Sequence, residues 1–126
     1  MCGYYYSYNI PIDSGVWDSI QRRGPESFNR IDVKNEHFGH ALLNTRGKST
    51  PQPIQNNAGT LVYNGSTYNS PLNDTKWIVD NLDETLETTV ELIKTLIGEY
   101  SLTYVTDRHI VFAVDQWSSK NLFFYY

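Results

Sequence analysis

The chain has 126 residues, of which 40% are hydrophobic, 14% aromatic and 19% charged, and its formal net charge is −4. A single domain of this length can bury one packed core, and the aromatic content excludes intrinsic disorder. The acidic balance argues against a basic nucleic-acid-binding face, and no apolar stretch is long enough to span a bilayer. We therefore expect neither nucleic acid nor a membrane as a partner.

The first predicted elements are strands separated by one short helix. Residues 3–10 are dense in tyrosine, which predicts a strand. Asp13 or Ser14 is expected to cap a helix through Arg22, which Gly24-Pro25 then stops. Residues 28–33 and 37–45 predict two strands joined by a turn at 34–36.

The second half predicts a loop at 47–59, a strand at 60–63 that ends in a tight turn at Asn64-Gly65, and a helix beginning at Asn73 or Asp74. A further helix is expected over 83–97, with an apolar stripe of Leu86, Val90, Ile93, Leu96 and Ile97. Residues 100–105, 110–114 and 122–126 predict three more strands. Short turns between strands favour antiparallel pairing, so the expected fold class is α+β.

Cys2 is the first candidate for chemistry, and it is the only cysteine in the chain. We expect Met1 to be removed, because methionine aminopeptidases tolerate a small second residue. Cys2 would then carry both a thiol and an α-amine, whose pKa of about 7.7–8.0 suits a base that activates its own thiol. The alternative is an incidental residue at the start of a strand.

Three further segments carry candidate binding groups. The amide of Asn64 and the N–H of Gly65 could converge on an oxyanion, although the pair also fits a tight turn. Asp74 could bind a ligand ammonium group, or serve with Asn73 as a helix cap. Arg46 could clamp a carboxylate, or be a solvated charge.

The order of these residues is more specific than any one of them. Met-Cys-Gly is followed by Arg23-Gly24-Pro25-Glu26-Ser27, His40, Asn64-Gly65 and Asn73-Asp74-Thr75. This order resembles the N-terminal nucleophile domain of class II glutamine amidotransferases, especially that of glutamine-dependent asparagine synthetase and its divergent relatives. Later segments are similar too, namely Gly98-Glu99-Tyr100-Ser101 and Asp115 with Leu122-Phe123-Phe124-Tyr125. The resemblance covers essentially the whole chain.

The resemblance implies a glutamine amidotransferase type 2 domain over residues 1–126, folded as a shortened Ntn-hydrolase-type αββα sandwich of antiparallel sheets. It implies that Cys2 attacks glutamine, that Asn64 and Gly65 stabilise the oxyanion, and that Asp74 binds the substrate α-ammonium. Arg23 is implied to support the nucleophile. The implied activity is glutaminase, with no cofactor.

Two positions near the implied glutamine site depart from the family pattern. The family's arginine two residues after the histidine, which holds the glutamine carboxylate, is replaced by Leu42. We favour Arg46 in that role, and the alternative is loss of carboxylate binding. Ser66 stands where the family has glutamate after Asn-Gly.

The length of the chain bears on its expected partners. It holds no Gly-rich phosphate loop and no synthetase domain, so we expect a separate ATP-dependent synthetase subunit to receive the ammonia. The aromatic residues at 123–126 could form that contact or a buried strand, and self-association into a homo-oligomer is the other possibility left open. The alternative function is a non-catalytic binding or regulatory subunit that retains the fold.

Metal chemistry and secretion are not expected. His37, His40 and His109 do not have zinc-ligand spacing with Cys2, so no metal is expected. The N-terminus lacks a basic region followed by an apolar stretch, and one cysteine cannot form a disulfide framework. These observations predict a reducing, cytoplasmic location.

Overall fold

The computed structural model describes residues 2–45 and 48–125. Within them the chain has an α+β fold with two antiparallel sheets and three helices. The first sheet has the strand order β1-β3-β2 and the second the order β4-β5-β6-β7. The elements in chain order are β1 (Gly3–Tyr8), α1 (Ser14–Gln21), β2 (Ser27–Val33), β3 (Glu36–Leu42), β4 (Ile54–Gln55), β5 (Gly59–Thr67), α2 (Asp74–Asp80), α3 (Leu86–Thr95), β6 (Gly98–Thr106) and β7 (Ile110–Val114).

Helix α1 covers one face of the first sheet. Asp13 caps it as predicted, because its Oδ1 accepts the Gly15 N–H at 2.8 Å. The ring of Trp17 then packs edge-on against Tyr5 of β1, with 5.6 Å between ring centroids. A Cβ at Gly39 of β3 would lie 2.2 Å from the Tyr5 ring, so glycine gives this aromatic pair its space.

The other face of the first sheet packs against the second sheet. Phe38 of β3, Val62 of β5 and Val105 of β6 form a buried cluster there, and Tyr4 and Tyr6 of β1 pack against it. Successive side chains of a strand point to opposite faces. The even-numbered side chains of β1 and β5 therefore point into the space between the sheets.

Helices α2 and α3 cover the opposite face of the second sheet. Leu61 and Tyr63 of β5 are fully buried there with Ile78 of α2. Asn73 caps α2 as predicted, since its Oδ1 accepts the Lys76 N–H at 3.1 Å. The larger core cluster on this face comprises Leu61, Tyr63, Ile78, Val79, Leu82, Leu96, Tyr100, Leu102 and Tyr104.

Asp115 anchors the chain after β7. It is 4% exposed, and its carboxylate accepts N–H groups from Tyr100, Trp117 and Ser119 at 2.9–3.0 Å. Burial opposes ionisation of this carboxyl. The backbone N–H groups of Trp117, Tyr100 and Ser119 nevertheless hold its pKa below the usual range.

Several predictions from the sequence were wrong in detail. Asn64-Gly65 is no turn, because β5 continues through it to Thr67. The helix expected over 83–97 is limited to Leu86–Thr95, and Leu86 and Ile97 of its predicted stripe are 50% and 63% exposed. Residues 122–125 form no strand, and the expected loop contains β4. The strand expected over 37–45 ends at Leu42.

The hairpins β2–β3 and β6–β7 and helices α1 and α2 are confirmed close to their predicted bounds. Each hairpin joins two strands of alternating polar and apolar residues through a local turn. Each of these helices begins at a capping side chain. None of the helices in the described part of the chain is long and apolar enough to cross a membrane.

Candidate active site

Cys2 lies where the start of β1 meets the end of β3. Gly3 of β1 pairs with Ala41 of β3, so the residue before Gly3 lies beside the residues that follow Ala41. The Leu43 N–H donates to the Cys2 Sγ at 3.4 Å, and the thiol lies 3.5 Å from the Leu43 carbonyl oxygen. The sulfur is thus held by backbone groups at one end of the first sheet.

The Arg-Gly-Pro segment docks on the same end of the sheet. Arg23 Nε donates to the Cys2 carbonyl oxygen at 3.3 Å. A Cβ at Gly24 would lie 2.2 Å from the Ala41 carbonyl oxygen, so only glycine permits this close approach. Glu26 N–H then donates to the Leu42 carbonyl at 3.0 Å. Arg23 therefore contacts the backbone of Cys2, while its supporting role stays a prediction.

The surroundings of Cys2 favour the neutral thiol. Burial raises the pKa of the Cys2 thiol, and the carboxylates of Glu26 and Asp74 raise it further. The Leu43 N–H acts in the opposite direction but does not outweigh them. Nucleophilic attack by this thiol at neutral pH consequently requires a base.

Gly65 presents its backbone at an edge of β5 where no described residue pairs with it as a strand. Tyr100 of β6 lies opposite Gly65, but both backbone polar groups of Tyr100 bond to Asp115 at 3.0 Å. Residues opposite each other in an antiparallel pair exchange both hydrogen bonds or neither. The Gly65 N–H therefore points to the other edge of β5, where β4 pairs only with Thr60 and Leu61.

Glycine is required at this position. Its φ is +153°, and a Cβ would lie 2.1 Å from the Glu99 carbonyl oxygen. Asn64 immediately precedes it and is 8% exposed. By the alternation along β5, the Asn64 side chain faces the same way as Val62, toward the sheet that holds Cys2.

Asp74 begins α2 next to the end of β5. Its Oδ2 accepts the Tyr63 hydroxyl and the Thr67 N–H, each at 3.0 Å, and its Oδ1 accepts the Thr75 N–H at 2.8 Å. An ionised carboxylate has about four acceptor positions, so these bonds leave about one for a ligand. Asp74 therefore connects β5 to α2 through its hydrogen bonds, and it also lines a cleft.

One cleft brings the predicted residues of three separate segments together. Cys2, Gly65 and Asp74 all line it, as do Leu42 and Ser66. Asn64 lies beside the cleft rather than in its wall. Arg46 lies outside the described residues, and Lys48 lines the cleft two positions later. Among the residues that the structure describes, the lining is Cys2, Leu42, Leu43, Asn44, Thr45, Lys48, Thr50, Gln52, Tyr63, Gly65, Ser66, Leu72, Asn73, Asp74 and Thr75.

Sequence reasoning missed Gln52 and assigned no role to His40. Gln52 is 3% exposed, lines the cleft and accepts the Tyr63 N–H at 2.7 Å. His40 is fully buried, and its Nε2 lies 3.0 Å from the Tyr63 carbonyl oxygen. The one feature of the sequence that marks Gln52 is its position between Pro51 and Pro53. The composition of a loop does not show which of its side chains is buried.

Among residues 2–45 and 48–125, no group of three or more His, Cys, Asp or Glu side chains is placed to hold a metal ion. Comparison of the chain with protein-family models found no match, and comparisons with curated proteins and with solved structures found none either.

Proposed function

We propose that this chain is a glutamine amidotransferase domain that hydrolyses glutamine at Cys2 and supplies ammonia to an ATP-dependent synthetase. The observation that carries the proposal is the cleft, where a thiol, a glycine backbone and a carboxylate from distant segments lie together. These groups are the nucleophile, oxyanion donor and ammonium ligand that the resemblance implies. Their convergence supports one site rather than incidental polar residues.

In the first step, the Cys2 sulfur attacks the side-chain amide carbon of glutamine, and a carbon–sulfur bond forms. The thiol proton passes to the α-amine of Cys2, which is free once the peptide bond to Met1 is cleaved. The raised pKa of the thiol makes this base necessary. The Gly65 N–H and the Asn64 amide stabilise the oxyanion of the tetrahedral intermediate.

In the second step, the carbon–nitrogen bond breaks, and the proton held by the α-amine leaves with the ammonia. Water then attacks the γ-glutamyl thioester, the carbon–sulfur bond breaks, and glutamate is released. The remaining acceptor position of Asp74 binds the substrate α-ammonium. We further propose that Arg46 binds the α-carboxylate.

The arrangement of helices and sheets also supports the proposal. Helix α1 covers one sheet, the sheets face each other, and α2 and α3 cover the second. We propose that these layers are an Ntn-hydrolase-type αββα sandwich. In this interpretation Cys2 begins the first strand, at the end of the layers where the cleft opens.

A second candidate function is a non-catalytic subunit that keeps the fold. Leu42 and Ser66 line the cleft at the positions where the resemblance predicts an arginine and a glutamate. Both replacements remove charge from the wall that would hold glutamine. They do not change Cys2, Asn64 or Gly65.

The two functions are separated by intact-protein mass after incubation with 6-diazo-5-oxo-norleucine, a glutamine-mimicking electrophile. We expect one adduct, on the chain that lacks Met1. L-glutamine should slow its formation and D-glutamine should not. The Cys2→Ala variant is the control, and it should gain no adduct.

No adduct on a chain that lacks Met1 would overturn the glutaminase and favour the non-catalytic subunit. An adduct that survives in Cys2→Ala would also overturn it, because another side chain would then be the nucleophile. Alkylation of Cys2 by iodoacetamide, measured in parallel, shows that the thiol is accessible in the sample.

A further inference from the structure

Strand β5 continues past the end of β4, and at Tyr63 the buried edge of its backbone is held by two side chains instead of a strand. Gln52 Oε1 accepts the Tyr63 N–H at 2.7 Å, and His40 Nε2 lies 3.0 Å from the Tyr63 carbonyl oxygen. Leu61, two residues earlier on the same edge, pairs with Ile54 of β4. Gln52 and His40 thus take the place that a continued β4 would occupy.

The direction of the hydrogen bond defines the state of His40. A carbonyl oxygen only accepts, so Nε2 must carry the proton. Burial lowers the pKa of His40 to about 4, and the imidazole is therefore neutral at pH 7. Within the described residues its Nδ1 is buried without a hydrogen-bonding partner, so the bond to Tyr63 is the one polar contact that orients the ring.

Gln52 connects the same peptide to helix α2. Its Nε2 lies 3.5 Å from Thr75 Oγ1, next to Asp74, while its Oε1 holds the Tyr63 N–H. The Tyr63 hydroxyl in turn donates to Asp74 at 3.0 Å. The backbone and the side chain of Tyr63 are therefore both tied to the segment that carries the proposed ammonium ligand.

These contacts bear directly on the proposed oxyanion donors. The Tyr63 carbonyl and the Asn64 N–H belong to one planar peptide group, so the bond from His40 orients the plane from which Asn64 starts. Gly65 follows one residue later in β5, so a change in this plane would displace both proposed donors. A donor must lie about 2.7–3.1 Å from the oxyanion to stabilise it.

We propose that Gln52 and His40 are positioning residues that clamp both polar groups of the Tyr63 backbone at one edge of β5 and thereby aim the Asn64 and Gly65 donors at the carbon attacked by Cys2. This inference rests on the proposed glutaminase function. The clamp acts through the backbone of Tyr63 and touches no reacting atom. Its loss should therefore reduce the stabilisation of the transition state more than the binding of glutamine.

The test compares two pairs of variants in glutamine hydrolysis. Gln52→Met keeps the side-chain length but removes the acceptor for Tyr63, and Gln55→Met makes the same change in exposed β4, where the amide contacts only Thr60. His40→Met removes the N–H donor, while His40→Gln places an amide donor where Nε2 lies. Hydrogen exchange of the Tyr63 N–H reports the clamp independently of activity.

We expect Gln52→Met and His40→Met to lower kcat by about 10²-fold with KM little changed, as for a small misplacement of catalytic groups. His40→Gln should recover most of the activity, and Gln55→Met should resemble the unmodified protein. The Tyr63 N–H should exchange faster in Gln52→Met than in Gln55→Met. Circular dichroism checks that each variant folds.

Three results would overturn the inference. An unmodified protein that neither reacts with 6-diazo-5-oxo-norleucine nor hydrolyses glutamine overturns the proposed function and this inference together. A reactive protein whose kcat is equal in Gln52→Met and Gln55→Met overturns the clamp alone. If kcat falls equally in His40→Met and His40→Gln, the role of the His40 N–H donor is overturned. This comparison remains decisive even if Gln52→Met does not fold.

Discussion

The Cys2 sulfur and the Leu43 backbone contact each other twice, through the Leu43 N–H at 3.4 Å and the Leu43 carbonyl oxygen at 3.5 Å. The carbonyl contact suits a protonated thiol, which can donate to it. The N–H contact suits a thiolate, which can only accept. The Leu43 backbone can therefore hydrogen-bond to the sulfur both before and after the thiol loses its proton, while burial favours the protonated form.

This environment predicts how Cys2 reacts with iodoacetamide as the pH changes. Because the folded chain raises the pKa of the thiol, alkylation of the chain that retains Met1 should reach half its maximal rate at a higher pH than alkylation in urea. Intact mass measured over time at each pH gives both profiles. Equal midpoints, or a lower one for the folded chain, would contradict the prediction.

Replacement of Asn64 tests the second oxyanion donor. Asn64→Ala should lower kcat for glutamine hydrolysis by about 10²–10³-fold, because one preorganised donor contributes that much elsewhere. Asn57→Ala, at an exposed site between β4 and β5, is the matched control. If Asn64→Ala is as active as this control, Asn64 is not the second oxyanion donor and the prediction is wrong.

Gly65 should tolerate no side chain. Gly65→Ala forces an L-residue to a φ of +153° and brings its Cβ within 2.1 Å of the Glu99 carbonyl oxygen. Urea denaturation should show a loss of stability of at least about 1–3 kcal/mol, the usual cost of such strain. Gly15→Ala on α1, where the Cβ meets only the flexible Asp13 carboxylate, should cost less.

The pH dependence of stability should report the buried His40. Its pKa is about 4 in the folded chain and about 6.5 when unfolded, so between these values the unfolded state binds more protons. The free energy of unfolding should therefore fall by about 3 kcal/mol as the pH is lowered through this window.

His40→Gln provides the reference for that measurement, since glutamine does not titrate. Urea denaturation of both proteins at several pH values isolates the His40 contribution as the difference between the two curves. Parallel curves would show that His40 takes up its proton equally in the folded and unfolded states. That outcome would contradict the burial of a neutral imidazole.

Asp115 should be important for stability although it follows the last strand. Its two oxygens accept four bonds, from Tyr100 N–H, Trp117 N–H, Ser119 N–H and the Ser119 hydroxyl. Asp115→Asn keeps one acceptor oxygen, and each buried donor left unpaired costs about 1–3 kcal/mol. Asp107→Asn, which removes an exposed pair with Lys34, should cost less in thermal denaturation.

Local signals predicted a large part of the fold. The sequence limited each of two helix caps to a pair of neighbouring residues, and the structure shows that Asp13 and Asn73 are the caps. A short polar side chain before an apolar turn satisfies free N–H groups without help from distant residues. The two hairpins likewise depend on neighbouring residues. The prediction that Leu86 and Ile97 belong to the buried stripe of α3 was wrong, because helical spacing does not show which part of an apolar stripe packs against the sheet.

The sequence by itself determined the candidate nucleophile and the order of the groups that line one cleft. It did not reveal that Asn64 and Gly65 lie within a strand, because their partners Ser101 and Tyr100 are distant in the chain. Only the tertiary structure decided that Gln52 and His40 replace a missing strand beside Tyr63. Backbone groups in a buried edge must find partners, and which side chains reach them depends on how the sheets pack.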